Sequence, residues 1–149
     1  MKLDLGCGKN KHPNYIGIDK RRFENVDLVI DLDKEALPFS DNSIDEVLLY
    51  NVLEHLESPY RVMREVIRVC KNGAIIRIKF PFLRHKNAYL DTEHKYILLP
   101  EWFRLFKELK IKKVKLHYPS PVLGRLFPFL WPPDEFYIEL EVVKDACKD

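Results

Sequence analysis

Gly6-Cys7-Gly8 follows directly on the short run Leu3-Asp4-Leu5. Glycines placed there let the backbone pass close to a bound ligand and leave amide donors free. Asp19 ends the next β-type run, where an acid can accept both ribose hydroxyls of an adenosine. Asp31-Leu32 ends the third, a place for a carboxylate and a backbone amide to meet the edge of an adenine. Taken singly, each is a tight turn or a solvated strand end. Taken together, three nucleoside-facing features stand in order at the carboxyl ends of three successive strands, and open α/β sheets bind their ligands there.

The elements that must hold these residues follow from apolar spacing and turn residues. Strands are expected at Leu3–Leu5, Tyr15–Asp19, Asp27–Asp31 and, after the turn cluster Pro38 to Ser43, Ile44–Tyr50. A helix is expected from Ser58, an N-cap residue with Pro59 at its first position, carrying Val62, Met63, Val66, Ile67, Val69 and Cys70 at helical spacing and ended by Asn72-Gly73. Further strands are expected at Ala74–Phe80, Ile111–His117 and Phe136–Val143, with a helix over Pro100–Leu109. Strands alternating with helices predict an α/β sheet.

Length and composition bound the rest. A chain of 149 residues with 46% hydrophobic content is one domain, residues 1–149, with a core of its own. Three cysteines without a C-x-x-C suggest neither a disulfide framework nor a zinc site. An acid at position 4 excludes a secretory leader, and no run reaches the length of a spanning helix, so a soluble cytoplasmic protein is expected. A net charge of +2 does not by itself argue for nucleic acid, although Lys and Arg are dense from Lys9 to Arg22 and from Lys107 to Lys115. The absence of Gln beside plentiful Lys, Glu, Arg and Ile points toward a thermophilic source.

From Leu3 to about Pro81 the chain resembles the class I S-adenosylmethionine-dependent methyltransferases. The resemblance rests on Leu3 to Gly8, Ile16-Gly17-Ile18-Asp19, Ile30-Asp31-Leu32 with Leu37-Pro38-Phe39, Ile44 to Val47 leading to Val52-Leu53-Glu54-His55-Leu56, and the passage into the fifth strand. Asp91-Thr92-Glu93-His94-Lys95 is similar to the D-P-T-H-x-R stretch of some small members. It implies S-adenosylmethionine as cofactor, with Gly6, Cys7 and Gly8 at its methionine end, Asp19 at the ribose, Asp31 and Leu32 at the adenine, and Tyr50 and Asn51 bordering the transferable methyl group. Two departures stand out. Lys9-Asn10 follow Gly8 where members usually carry a further Gly, and the residues between Gly8 and the second strand are too few for the usual crossover helix. A flexible basic loop, Lys9 to Asn14, is expected instead, and the expected fold lacks the helices that commonly precede the first strand.

Charge patterning orders the late strands independently. The fifth alternates Ile76, Ile78, Phe80 with Arg77, Lys79; the sixth Val114, Leu116 with Lys113, Lys115; the seventh Phe136, Ile138, Leu140 with Glu139, Glu141. Period-two alternation means one wet face, and a row of Glu between two rows of Lys and Arg pairs across the ladder. The expected fold is a seven-stranded, mostly parallel Rossmann-like sheet of order 3-2-1-4-5-7-6, with the seventh strand antiparallel. Its charged face is either solvated or the dock of a partner subunit or large substrate. Pro119 to Pro133, five prolines among Phe127, Phe129 and Trp131, is expected to be a rigid flap, an interface for a partner or second copy, or a wall of the acceptor site.

Methyl transfer from a sulfonium is an in-line displacement, so positioning supplies most of the acceleration and a base is needed only where the acceptor loses a proton. His55, His85, Glu93 and His94 are candidates, His55 and His94 foremost. Some family members hold a divalent metal with Glu-x-x-Glu-His. Asn51 stands at the first position here and removes a hard oxygen donor, so no metal is expected. Asn51-Val52-Leu53-Glu54 lacks the Asn/Asp-Pro-Pro-aromatic signature of exocyclic-amine methylation, and Trp131-Pro132-Pro133-Asp134 lies before the seventh strand instead. No Pro-Cys supplies a nucleophile for cytosine C5. The expected function is methyl transfer to an O or N acceptor that the sequence does not name. A non-catalytic cofactor-binding subunit is the alternative; a dinucleotide oxidoreductase is disfavoured because G-x-G-x-x-G opening a helix is absent.

Overall fold

The computed structural model describes residues 1–82, 91–118 and 133–144. Seven strands, β1 (Lys2–Leu5), β2 (Ile16–Asp19), β3 (Leu28–Val29), β4 (Ile44–Tyr50), β5 (Cys70–Pro81), β6 (Leu109–His117) and β7 (Glu135–Val142), form one sheet. Its order is β3-β2-β1-β4-β5-β7-β6, parallel except for β7, which runs antiparallel to both neighbours. The charge argument is met in register: Arg77 lies opposite Glu139, and Lys113 opposite Glu139 from the other side.

Among the described residues there is one α-helix, α1 (Pro59–Val69), between β4 and β5. It buries Val62, Met63, Val66, Ile67 and Val69 against the sheet, as the spacing requires. No helix crosses from β1 to β2, as expected, and β2 to β3 and β3 to β4 are also joined without one.

Three expectations shift. The helix ends at Val69 rather than at Asn72-Gly73: Cys70 already pairs with Ile44, and Gly73, at φ +81°, lies in the irregular stretch before Ile75 pairs with Glu46. A glycine with positive φ serves a strand irregularity as well as a helix end. The Pro100–Leu109 helix is a 3-10 turn, Pro100–Leu105, after which Leu109 enters β6. β3 keeps only two residues of the run Asp27–Asp31.

The core lies on one face of the sheet, where Phe80, Phe103, Phe106 and Met63 are sealed from solvent. On the other face Arg77, Lys79, Tyr137, Glu139 and Glu141 stay partly exposed. Arg77 pairs there with both Glu46 and Glu139.

Candidate active site

The turn after β1 is built on positive φ, with Gly6 at +66° and Gly8 at +53°. The amides expected to be free are engaged: Gly6 and Cys7 both donate to the Ile18 carbonyl, at 2.7 and 3.2 Å, and Gly8 donates to Asp19 Oδ2 at 2.9 Å. Glycine at position 6 instead gives close approach, because a Cβ there would sit 2.5 Å from Val52 Cγ2. Asp19 Oδ1 accepts from the Arg21 amide at 2.8 Å, so this carboxylate organises the loops on both sides of it. The basic loop Lys9–Asn14 is tied down, with Asp4 Oδ2 accepting from the His12 amide at 2.8 Å and Lys11 Nζ 2.9 Å from Asp27 Oδ2.

Asp31 and Leu32 are held from α1. Arg61 donates to the Leu32 carbonyl, and Asp33 Oδ1 accepts from the amides of Glu57 and Ser58 at 2.9 and 3.3 Å. Asp33 thus caps α1, whose own N-cap Ser58 makes no side-chain capping bond. Lys34 Nζ, 2.9 Å from Asp31 Oδ2, holds the Asp31 carboxyl below its ordinary range.

These residues border a cleft of about 170 Å³, lined by Gly6, Asp19, Asp31, Leu32, Asn51 and His55 among others. Of the expected ligand contacts, Cys7, Gly8 and Tyr50 are not in its lining. Tyr50 turns to the charged face, edge-on to His12 with ring centroids 5.3 Å apart and with Lys79 Nζ 4.4 Å from its ring centroid.

A second, wider cavity of about 580 Å³ opens beyond, and Asn51 and His55 line both. Asn51 takes φ +54°, a conformation that Asn tolerates better than most residues, and anchors its amide on the Lys79 carbonyl at 3.0 Å. The cavity wall adds Glu54, Asp91, His94 and Glu135. The segment bearing His94 is pinned by the Lys95 amide, which donates to the Glu54 carbonyl at 2.8 Å, and by the Tyr96 hydroxyl, which donates to the Glu57 carbonyl at 2.9 Å. The His55 and His94 ring centroids lie 4.6 Å apart.

Residues 10–78 match the family described as a methyltransferase domain. Over 94% of its length the chain superposes on 85% of a SAM-dependent methyltransferase from Archaeoglobus fulgidus, with a TM-score of 0.71 at 19% identity. It shares the fold of the S-adenosylmethionine-dependent methyltransferases. An uncharacterised methyltransferase of Mycobacterium tuberculosis is 40% identical over 45 residues, 30% of this chain and 18% of that protein, so the match spans less than a fifth of that relative's length. A Haloferax volcanii methyltransferase, solved in complex with the Trm112 methyltransferase activator, covers 95% of this chain and 82% of its own at a TM-score of 0.65 and 15% identity. The Archaeoglobus fulgidus protein is S-adenosylmethionine-dependent.

The carboxylates of the cleft fit such a ligand, since Asp19 and Asp31 offer only acceptors to a nucleoside rich in hydroxyl and amino donors. The histidines fit proton transfer. Burial, and then the neighbouring His94, lower the His55 pKa, which keeps the ring neutral and able to accept a proton. Sequence weighed Glu54 only as part of a Glu-x-x-Glu-His metal pattern and not among the candidate bases. Glu54 is 1% exposed, neither carboxylate oxygen has a hydrogen-bond partner among the described residues, and burial pushes its pKa up to about 7. Asp33, Asp91 and Glu135 were also missed, because only the tertiary fold brings them in. His85 and nearly all of Pro119–Pro133 lie outside the described residues. Among the described residues no helix is long and apolar enough to cross a membrane.

Proposed function

We propose that this protein transfers a methyl group from S-adenosylmethionine to an oxygen or nitrogen atom of an acceptor held in the wider cavity. The observation that carries the proposal is the shared wall, since Asn51 and His55 line both the nucleoside-sized cleft and the cavity beyond it. In-line displacement needs donor and acceptor on opposite sides of one junction, in near-attack geometry. The cofactor supplies a methyl group already activated on a sulfonium. Asp19 holds the ribose hydroxyls, Asp31 and Leu32 meet the adenine, and the Gly6 turn lets the chain approach closely. His55, neutral at pH 7, accepts the acceptor's proton where one must leave.

The proposal includes a partner subunit or second copy on the outward face of β5, β7 and β6. The activator complex of the Haloferax volcanii relative supports it. Sedimentation of the protein alone and in extract tests that part.

Thermal unfolding with S-adenosylhomocysteine, S-adenosylmethionine and NAD tests the site. A ligand at one hundred times its dissociation constant adds about 2.7 kcal/mol, expected for the first two and absent for NAD. Radiolabelled methyl transfer into fractionated extract then tests the reaction. Stabilisation by S-adenosylhomocysteine with no labelled product in any fraction would leave a non-catalytic cofactor-binding subunit.

A further inference from the structure

We propose that Glu54, His55 and His94 form a binding site for one divalent transition-metal ion in the wall of the wider cavity. One ligand atom from each lies within 4.8 Å of the other two, the span that a single ion bridges. The set is two imidazoles and one carboxylate, with open positions facing the cavity, a donor pattern suited to iron, manganese, cobalt or zinc rather than to magnesium. The expectation of no metal counted Asn51, Glu54 and His55 alone. It could not include His94, which is distant in sequence and reaches the cluster through the Lys95–Glu54 backbone bond.

Two independent observations point to an ion. The Glu54 carboxylate is sealed at 1% exposure and has no partner on either oxygen among the described residues, and a buried polar group in that state is costly unless something binds it. Both rings also have an outer partner of the kind metal-bound histidines use. His55 Nδ1 lies 3.4 Å from the Glu93 carbonyl and His94 Nε2 lies 3.6 Å from Asp91 Oδ2. Binding of the ion stands apart from the methyl-transfer reading. Its role does rest on that reading: with the ion bound His55 would be a ligand in place of a base, and the open positions would hold an acceptor oxygen and lower its pKa so that its proton leaves to water.

The test is titration of chelator-treated full-length protein with Zn²⁺, Mn²⁺ and Mg²⁺ by calorimetry, with Mn²⁺ paramagnetic resonance as a second readout. One equivalent of Zn²⁺ or Mn²⁺ is expected, with Mg²⁺ at least tenfold weaker. His94→Ala and Glu54→Gln should each weaken Zn²⁺ by well over tenfold, and Asp91→Asn by about tenfold. Neither Glu54 nor His94 lines the narrower cleft, so stabilisation by S-adenosylhomocysteine should survive in both variants and show that they fold. Absence of metal binding, binding unchanged in both variants, or Mg²⁺ binding as tightly as Zn²⁺ would overturn the proposal. Loss of S-adenosylhomocysteine binding by the wild type would count against the methyltransferase reading instead.

Discussion

The Gly8 amide donates to Asp19 Oδ2 at 2.9 Å, so the residue that ends β2 holds the turn that ends β1. The other oxygen of the same carboxylate accepts from Arg21 at 2.8 Å, and the side chain is nearly buried. Asp19→Ala therefore removes a proposed ribose contact and unties two loops at once. Thermal unfolding should show the apo protein weakened by about 2 kcal/mol, the range for losing hydrogen bonds to a charged group, and no stabilisation by S-adenosylhomocysteine. Asp19→Asn, which keeps one acceptor oxygen, should fall between.

The two glycines of that turn should respond differently to the same change. An alanine at either meets a left-handed backbone, worth roughly 1–2 kcal/mol. At Gly8 a Cβ would meet nothing within 4 Å, whereas at Gly6 it would sit 2.5 Å from Val52 Cγ2, adding an overpacking cost of about 1–3 kcal/mol. Denaturant titration should rank Gly6→Ala clearly below Gly8→Ala; equal stabilities would contradict the close approach of Val52.

On the charged face, Arg77 sits between Glu46 and Glu139, with Lys113 across from Glu139. Glu139→Lys places a third cation among Arg77 and Lys113. These side chains are partly exposed, so the expected loss is modest, about 1 kcal/mol, and should shrink as salt is raised. Unfolding at low and high ionic strength checks both the size and the salt dependence.

That ladder also shows what made the fold legible. Strand pairing writes itself into the chain as period-two charge, so Arg77, Glu139 and Lys113 were readable as neighbours without coordinates. The end of α1 was not, because Asn72-Gly73 fits a helix stop as well as the irregularity before Ile75. The Pro100–Leu105 turn carried apolar residues at helical spacing but stops after six residues. Of the residues that line the narrower cleft, Gly6, Asp19 and Asp31 follow or end strands and are legible from local pattern. The direction of the Tyr50 ring, edge-on to His12 and beneath Lys79, is set by the strand end that carries it and is not written in the local pattern. His94 is named by sequence as a candidate base, but its place beside Glu54, 40 residues earlier, comes only from the tertiary fold, which no local pattern encodes.

Cys7 gives a chemical footprint of the turn after β1. Burial, followed by the carboxylates of Asp4 and Asp19, pushes its thiol up to about 11. Because the folded state favours the protonated thiol, its contribution to stability is complete below the ordinary thiol range and fades as pH rises through 11. Only the thiolate alkylates, so at pH 8 the reactive fraction is on the order of 10⁻³. In a Cys147→Ser background, iodoacetamide labelling of Cys7 should accelerate about tenfold per pH unit from 8 to 10. Fully buried Cys70, pushed up to about 12, should stay unlabelled while the protein is folded. S-adenosylhomocysteine, by holding the neighbouring Gly6 turn closed, should slow the Cys7 reaction at every pH. A labelling rate that is flat between pH 8 and 10 would mean that the thiol is not held protonated by its surroundings.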